Sequence, residues 1–167
     1  EASHMSDRAI PLDHESRLQE HDHHSIRLWL RLLTCTNLIE ARLRSRLREE
    51  FGTTLPRFDF MAQLQRSPEG LTMGQLSQRM MVSGGNVSGI ASQLESEGLI
   101  LRQPVPGNRR TFCVTLTPEG QQRFADMAAR HEQWVIELLG DLSDREVKGL
   151  MSSLKRVKRG LTLNEVP

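Results

Sequence analysis

The sequence has little of what disulfide-rich, zinc-binding or membrane-spanning proteins need. Its only cysteines are Cys35 and Cys113, which are too few and too far apart in the chain for a disulfide framework or a cysteine-rich zinc site. No apolar run approaches the roughly 18 residues that cross a bilayer. We therefore expect a cytoplasmic protein with no membrane segment, in which both cysteines are buried, reduced thiols.

Tyrosine is absent, and so is any motif that pairs a nucleophile with a base, cradles phosphate or binds a metal. Asp59, Asp126 and His131 are polar residues scattered over predicted helices, and they form no catalytic set. Peroxide sensing needs a thiolate that neighbouring donors stabilise, whereas Cys35 lies in an apolar helix stripe. We predict that the chain is not an enzyme and needs no cofactor. Redox sensing remains an alternative for how the protein is regulated.

Charge is nearly balanced over the whole chain. The net charge is +1, which says little about partners because a DNA-binding protein needs local rather than global positive charge. Location is more informative, since residues 72–111 contain four arginines and two glutamates. Two of those arginines, Arg109 and Arg110, stand together in a predicted loop.

The first 23 residues show little apolar periodicity. Residues 1–5 resemble a cloning remnant, and the stretch after them is polar and rich in histidine. We predict that residues 1–23 are an expression remnant and a flexible N-terminal arm. Metal sensing remains an alternative, although His-rich termini are commonly solvated. Its candidate ligands are Glu20, His21, His23, His24 and His131.

A long first helix is predicted from Ile26 to Phe51. Its apolar residues recur every three or four positions, which stacks them on one face. Further apolar residues widen that stripe: Trp29, Leu30, Leu33 and Leu38. We expect a helix this long and this apolar to bury two faces, one inward and one against a second subunit. Gly52 is predicted to end it, and the next helix runs from about Arg57 to Arg66.

Residues 72–98 predict a helix-turn-helix. Thr72 and Gln75 form a capping box that starts one helix. Ser83 caps a second helix, in which small polar residues lie opposite an inward-facing apolar stripe until Gly98 ends it. Two helices in this order are typical of a DNA-binding motif.

Two short strand candidates, 99–101 and 112–116, follow the helix pair and add a hairpin wing. The chain therefore predicts a mainly α fold with a small β-hairpin wing, a winged helix-turn-helix with N- and C-terminal dimerisation helices. Residues 55–116 are the predicted DNA-binding domain. Residues 24–54 and 117–163 are the predicted helical dimerisation region.

The last two helices are predicted to start at Thr117 and Ser143, each an N-cap. The final helix is expected to end near Gly160. Its apolar face from Val147 to Val157 exceeds what a small core needs, as the first-helix stripe does. Both faces therefore indicate a symmetric dimer.

The second helix of the motif presents a narrow hydrogen-bonding surface, which a helix needs to enter the major groove. Asn86 and Gln93 can pair with adenine edges, and serine hydroxyls can serve bases or phosphates. Arg109 and Arg110, at the hairpin tip, are placed to reach a minor groove. The predicted DNA contacts are Arg79, Ser83, Gly84, Gly85, Asn86, Ser88, Ser92, Gln93, Asn108, Arg109 and Arg110.

Five stretches follow one another in the order of the predicted motif: LTMGQLS at 71–77, MVSGGNVSGI at 81–90, LESEGLI at 94–100, RR at 109–110 and VTLTPEG at 114–120. In these stretches the sequence resembles the MarR family of bacterial transcription regulators. The resemblance implies a homodimer that binds a pseudo-palindromic operator in double-stranded DNA. One departure is Asn108, since the family usually has an aspartate there that holds the wing arginine, here Arg110, by an ion pair. We therefore expect this wing to be more mobile before DNA binds.

Family members usually release DNA when a small aromatic acid or a similar metabolite binds, so the resemblance implies a ligand-responsive repressor. Residues 27–35 and 55–59 are also similar to members that control aromatic-acid catabolism, including those that respond to hydroxycinnamoyl thioesters of coenzyme A. The predicted effector-binding residues are Arg27, Trp29, Arg31, Leu33, Cys35, Phe58, Met61 and His131. Plain core packing is the alternative for Trp29 and Phe58. A winged helix that serves as a protein-docking module is the alternative for the whole fold.

Overall fold

The computed structural model describes residues 24–80 and 84–163. The predicted arm at 1–23, with its histidines His21 and His23, and the predicted DNA contact Ser83 lie outside the described residues. The elements in chain order are α1 His24–Phe51, α2 Leu55–Gln65, β1 Leu71–Thr72, α3 Met73–Met80, α4 Gly84–Ser96, β2 Ile100–Val105, β3 Asn108–Leu116, α5 Pro118–Leu138 and α6 Asp144–Leu163. The predicted winged helix-turn-helix is confirmed, because α3 and α4 are followed by the hairpin of β2 and β3.

The first of two compact units ends at Leu55 and contains α1. The helix ends at Phe51, and Gly52 then adopts a φ of 61° while its amide donates to the Arg48 carbonyl at 3.0 Å. A positive φ favours glycine because no Cβ is present to clash. The predicted end of the helix at Gly52 is therefore confirmed.

Burial along α1 differs from the prediction. The expectation that both cysteines are buried was wrong, because Cys35 is exposed and Cys113, in β3, is half-buried. The buried positions of α1 are Thr34, Leu43 and Leu47, and position 34 points about 100° away from position 35 around the helix. Trp29 is also 59% exposed. Apolar spacing thus identified the helix but not the face that the chain covers.

The second unit begins at Pro56, and every element from β1 to α5 contributes at least one buried apolar side chain to it. Leu76 of α3 and Leu94 of α4 are fully buried, as is Val114 of β3. In α6, by contrast, none of the described residues is buried. Its apolar residues Leu150 and Met151 are 49% and 66% exposed, so the face that was predicted to exceed the needs of the core is uncovered in the single chain.

The sheet has three antiparallel strands in the order β1-β3-β2. The predicted strands 99–101 and 112–116 are part of it, but both strands of the hairpin extend further towards the tip. Strand β1 was not predicted, because two residues carry no periodic signal and Thr72 belongs at the same time to a helix cap. Pairing in the hairpin is irregular between Pro104 and Val105, so the wing has a bulged tip.

Caps fix where the helices of the second unit begin. The Thr72 amide donates to Gln75 Oε1 at 2.9 Å, and the Gln75 amide donates to Thr72 Oγ1 at 3.2 Å. This reciprocal pair confirms the predicted capping box at α3. At α6, the Ser143 hydroxyl donates to Glu146 Oε2 at 2.7 Å and the Ser143 amide donates to the same oxygen at 2.8 Å, and these two bonds lower the pKa of that glutamate. Neither α6 nor any other helix within the described ranges is long and apolar enough to span a membrane.

Candidate nucleic-acid interface

Helix α4 has two chemically different faces. Val87, Ala91 and Leu94 are fully buried, at the spacing of one face of a helix. The predicted base-reading side chains on the opposite side, Asn86, Ser88, Ser92 and Gln93, are all exposed. Burial of the first set fixes the rotation of the helix, so that the hydrogen-bonding set points outward. Their contact with DNA stays a prediction.

Two glycines begin α4. Gly84 and Gly85 are exposed, and a Cβ built at either position would meet no atom within 4 Å. Glycine costs roughly 1 kcal/mol relative to alanine in a helix interior, and no contact within the described chain requires its small size here. The surface at the start of α4 is therefore open to close approach by a partner.

The tip of the wing is basic and has no acid of its own. Residues 98–118 contain no aspartate or glutamate, and both Arg109 and Arg110 are exposed. Asn108 lies within the tip, where its Oδ1 accepts from the Arg110 amide at 3.1 Å and its Nδ2 donates to Thr111 Oγ1 at 2.9 Å. Asn108 thus holds the backbone at Arg110 by hydrogen bonds, and the expected mobility of the wing stays a prediction.

Arg79, another predicted DNA contact, has a partner inside the protein. Its Nη1 donates to Ser67 Oγ at 3.0 Å, and Ser67 is buried in the turn between α2 and β1. The side chain as a whole remains exposed at the end of α3. Arg79 therefore braces that turn while part of its guanidinium faces outward.

Two arginines from other elements bind the C-terminal end of α4, and the sequence did not predict either contact. Arg102 of β2 pairs with Glu95, and its Nε donates to the Glu95 carboxylate at 2.9 Å. This hydrogen bond is the main cause that lowers the pKa of Glu95. Arg57 of α2 pairs with Glu97, forty positions later in the chain. No periodic or capping signal connects residues so far apart.

The predicted effector-binding residues fall in both compact units. In the first unit, Arg27, Trp29, Arg31 and Cys35 are exposed and Leu33 is half-buried. In the second unit, Phe58 and Met61 are buried and His131 is half-buried. Each unit thus supplies part of the predicted set.

Phe58 and His131 lie together in an aromatic cluster. Phe58 stacks on the His131 ring with centroids 4.6 Å apart and on Phe124 with centroids 5.3 Å apart. Phe124 was missed by the sequence reasoning because a single phenylalanine on an amphipathic helix gives no signal beyond core packing. Burial lowers the pKa of His131, which disfavours the cationic form that would neutralise a carboxylate.

Metal ligands are not brought together in the described part of the chain. Within residues 24–80 and 84–163, no three His, Cys, Asp or Glu side chains are placed to hold an ion. His131 lies instead in the aromatic cluster. The candidates Glu20, His21 and His23 lie outside the described residues.

The known proteins to which this chain is similar are transcription regulators. A model of the MarR family matches residues 51–111. The regulator PecS of Dickeya dadantii is 25% identical over 134 residues, which cover 79% of this chain and 81% of PecS. The transcriptional activatory protein BadR of Rhodopseudomonas palustris is 28% identical, covering 78% and 76%. The putative regulatory protein for the hcr operon of Thauera aromatica is 36% identical, covering 59% and 60%.

Solved structures agree with these sequence relatives. A MarR family transcriptional regulator from Silicibacter pomeroyi superimposes with a TM-score of 0.72 at 31% identity, covering 86% of this chain and 99% of that one. The regulator Sco3205 from Streptomyces coelicolor, solved in complex with DNA, gives a TM-score of 0.72 at 24% identity, covering 80% and 88%. The second match bears on the fold alone. All these relatives are described as regulators rather than as enzymes.

Proposed function

The chain belongs to the MarR family of DNA-binding transcription regulators, and we propose that it acts as a homodimeric repressor that an aromatic acid or its coenzyme A thioester releases from a pseudo-palindromic operator. The observation that carries the DNA-binding part is the exposed hydrogen-bonding face of α4. Because the apolar face of the same helix is fully buried, Asn86 and Gln93 are available to a partner. The wing adds two exposed arginines, Arg109 and Arg110, with no acid beside them.

The two surfaces fit the two grooves of DNA. Helix α4 starts with glycines that leave room for close approach, and its amide side chains match the donor and acceptor pattern of adenine in the major groove. The guanidinium of Arg110 fits a narrow minor groove, where the negative potential is strongest in A·T-rich stretches. We infer direct base reading by α4 and shape reading by the wing.

Exposed apolar surface supports the dimer. On α6, Leu150, Leu154 and Val157 are each about half exposed and recur at spacings that place them on one helix face. Helix α1 exposes Trp29 and Leu38. A second copy would cover such faces, and we assign residues 24–54 and 117–163 to dimerisation and 55–116 to DNA reading. In that dimer the two α4 helices would meet successive major grooves roughly 34 Å apart.

An aromatic carboxylate is the effector class that the residues favour. Trp29 is an exposed aromatic side chain of α1, and Arg27 and Arg31, which lie one turn apart on the other side of that helix, carry charge that can bind a carboxylate or a phosphate. The effector would bind more tightly to the dimer conformation in which the distance between the two α4 helices does not match the two half-sites of the operator. Because BadR is described as an activatory protein, the metabolite panel has to be scored for compounds that strengthen operator binding as well as for compounds that weaken it.

The test is a selection of random duplexes against the purified protein, repeated with a panel of aromatic acids and their thioesters. We expect a two-fold symmetric sequence to be enriched, and Arg110→Ala to weaken binding to it by about 1–3 kcal/mol. Arg145→Ala, which removes the same charge from the exposed surface of α6, is the matched control and should bind as the wild type does. If no duplex is enriched and the affinity for DNA does not fall as the salt concentration rises, the protein-docking module is supported instead.

A redox-responsive regulator is the second candidate, because Cys35 is exposed rather than buried. Exposure removes one physical argument against oxidation of this thiol. Peroxide treatment would then abolish operator binding by the wild type but not by Cys35→Ser. Equal binding by both proteins after treatment excludes this candidate.

A further inference from the structure

The C-terminal end of α4 carries acids where a helix favours bases. Glu95 lies in the last turn, Glu97 directly follows the helix, and no basic residue occupies that turn. The backbone carbonyls at a helix C-terminus carry a partial negative charge, so carboxylates there are unfavourable by themselves. Their positive partners have to come from other elements.

Those partners come from two sides. Arg102 of β2 binds Glu95, and Arg57 of α2 binds Glu97. Glu95 and Glu97 stand two positions apart, and each is paired with an arginine of a different element, so β2 and α2 both hold the end of α4. Two such anchors resist rotation of α4 about its own axis better than one anchor does.

Arg57 is itself at an unfavourable helix end. It lies in the first turn of α2, where the partial positive charge of the helix N-terminus disfavours a cation. Its side chain is only 14% exposed, against 46% for Glu97, so solvent screens the pair less than it screens a surface ion pair. The fields of the two helices favour neither charge at its place, and the mutual attraction of Arg57 and Glu97 offsets this cost.

Helix α2, which supplies Arg57, is itself held in place by packing against α5. Helix α3 and strand β2 pack against α4, and α2 contacts its end through the Arg57 side chain. The next residue, Phe58, is buried and stacks on Phe124 and His131 of α5. Arg57 therefore connects α4 to an element that is itself held by α5.

We propose that Arg57 and Glu97 are positioning residues that fix the orientation of α4 and so set which bases it discriminates. The inference rests on the proposed function, because it assumes that α4 reads DNA. Glu97 stands one turn after Gln93, beyond the last residue of α4, and its carboxylate is paired with Arg57 and is not one of the predicted base contacts. Loss of the pair should therefore reduce the discrimination between base sequences while leaving sequence-independent binding to phosphates in place.

The test is a charge swap read out as specificity. The affinity for the selected operator duplex is divided by the affinity for a random duplex of the same length, for wild type, Arg57→Glu, Glu97→Arg and the double variant. We expect each single change to lower this ratio about tenfold, the equivalent of one lost base contact. The double variant should recover to within about threefold, since the pair is restored and each charge then stands at the helix end that favours it.

Controls separate positioning from general damage. Arg66 and Glu69 are exposed in the turn after α2 and are not among the predicted DNA contacts, and a charge reversal at either position should leave the ratio unchanged. Should a charge reversal prevent folding, Arg57→Lys keeps the charge but loses the planar guanidinium, and we expect it to lower the ratio about threefold, less than the reversal does.

The outcomes distinguish this inference from the proposed function. A wild type that prefers no duplex overturns the proposed function. A wild type that prefers its operator, with single variants that keep the same ratio, overturns the inference alone. A folded double variant with a ratio as low as that of the singles also overturns it, because the pair would then not be the cause.

Discussion

Replacing Gly120 by alanine would force α5 away from the turn that precedes β2. Gly120 is buried near the start of α5, and a Cβ built there would lie 1.9 Å from the Leu99 carbonyl oxygen. The same joint contains two hydrogen bonds from Thr117. Its amide donates to the Leu99 carbonyl at 3.1 Å, and its hydroxyl donates to the Gly98 carbonyl at 2.6 Å.

The expected cost follows from these distances. Ordinary contact begins near 3.4 Å, so the two backbones would have to separate by about 1.5 Å. A shift of that size stretches both Thr117 bonds beyond hydrogen-bond range. Forcing a methyl group into a packed site costs about 1–3 kcal/mol, and each lost bond adds about 1 kcal/mol. Alanine returns about 1 kcal/mol in helix propensity, which leaves a net loss of about 2–4 kcal/mol.

Urea unfolding followed by circular dichroism measures this loss. Protein concentration has to be held fixed, because association would couple to unfolding in a dimer. Gly149→Ala is the matched control, since Gly149 lies in α6 and a Cβ there would meet nothing within 4 Å. It should gain about 0.5–1 kcal/mol. A Gly120→Ala protein as stable as the wild type would refute the reasoning, because it would show that the joint yields without cost.

Two further predictions concern the wing and the aromatic cluster. Asn108→Ala removes the acceptor of the Arg110 amide and should weaken operator binding by about 0.5–1.5 kcal/mol; unchanged affinity in a titration would show that Asn108 does not position the wing. Burial lowers the pKa of His131 from 6.5, so as pH falls below 6.5 the unfolded chain gains a proton that the folded chain resists, and stability declines until the lower folded pKa is passed. His131→Phe keeps the stacked rings and should reduce the dependence of the free energy of unfolding on pH below 6.5, as measured by urea unfolding. An unchanged dependence would show that other groups cause it.

The local features of the fold were predictable because their signals are contained in a few neighbouring residues. The capping box of Thr72 and Gln75 needs only two side chains three positions apart, and the helix end at Gly52 needs one residue without a Cβ. The Thr117 cap is equally local, since its Oγ1 accepts from the Gly120 amide at 3.0 Å. Helix boundaries followed from these signals to within a few residues.

Contacts between distant residues were not predictable. The sequence contains Arg57 and Glu97 but nothing that indicates their pairing, because a charge on a helix end has many potential partners until the fold is known. The same holds for Phe124 in the aromatic cluster. For Cys35 a local signal was present but misleading. Its apolar neighbours predicted a buried side chain, whereas the buried position is the adjacent Thr34.

Position rather than net charge distinguishes the DNA-reading surface of this chain. Residues 71–116 contain four arginines, and Arg79 and Arg102 are engaged by Ser67 and Glu95. Arg109 and Arg110 have no ion pair within the part of the chain that the structure describes. Few cations of this segment are thus left for phosphates, and we expect direct base reading to rest on neutral side chains of α4, beside the shape reading proposed for the wing. Such short side chains tolerate little misplacement, so we expect the contacts that fix α4 from outside to matter as much for recognition as the residues proposed to face the bases.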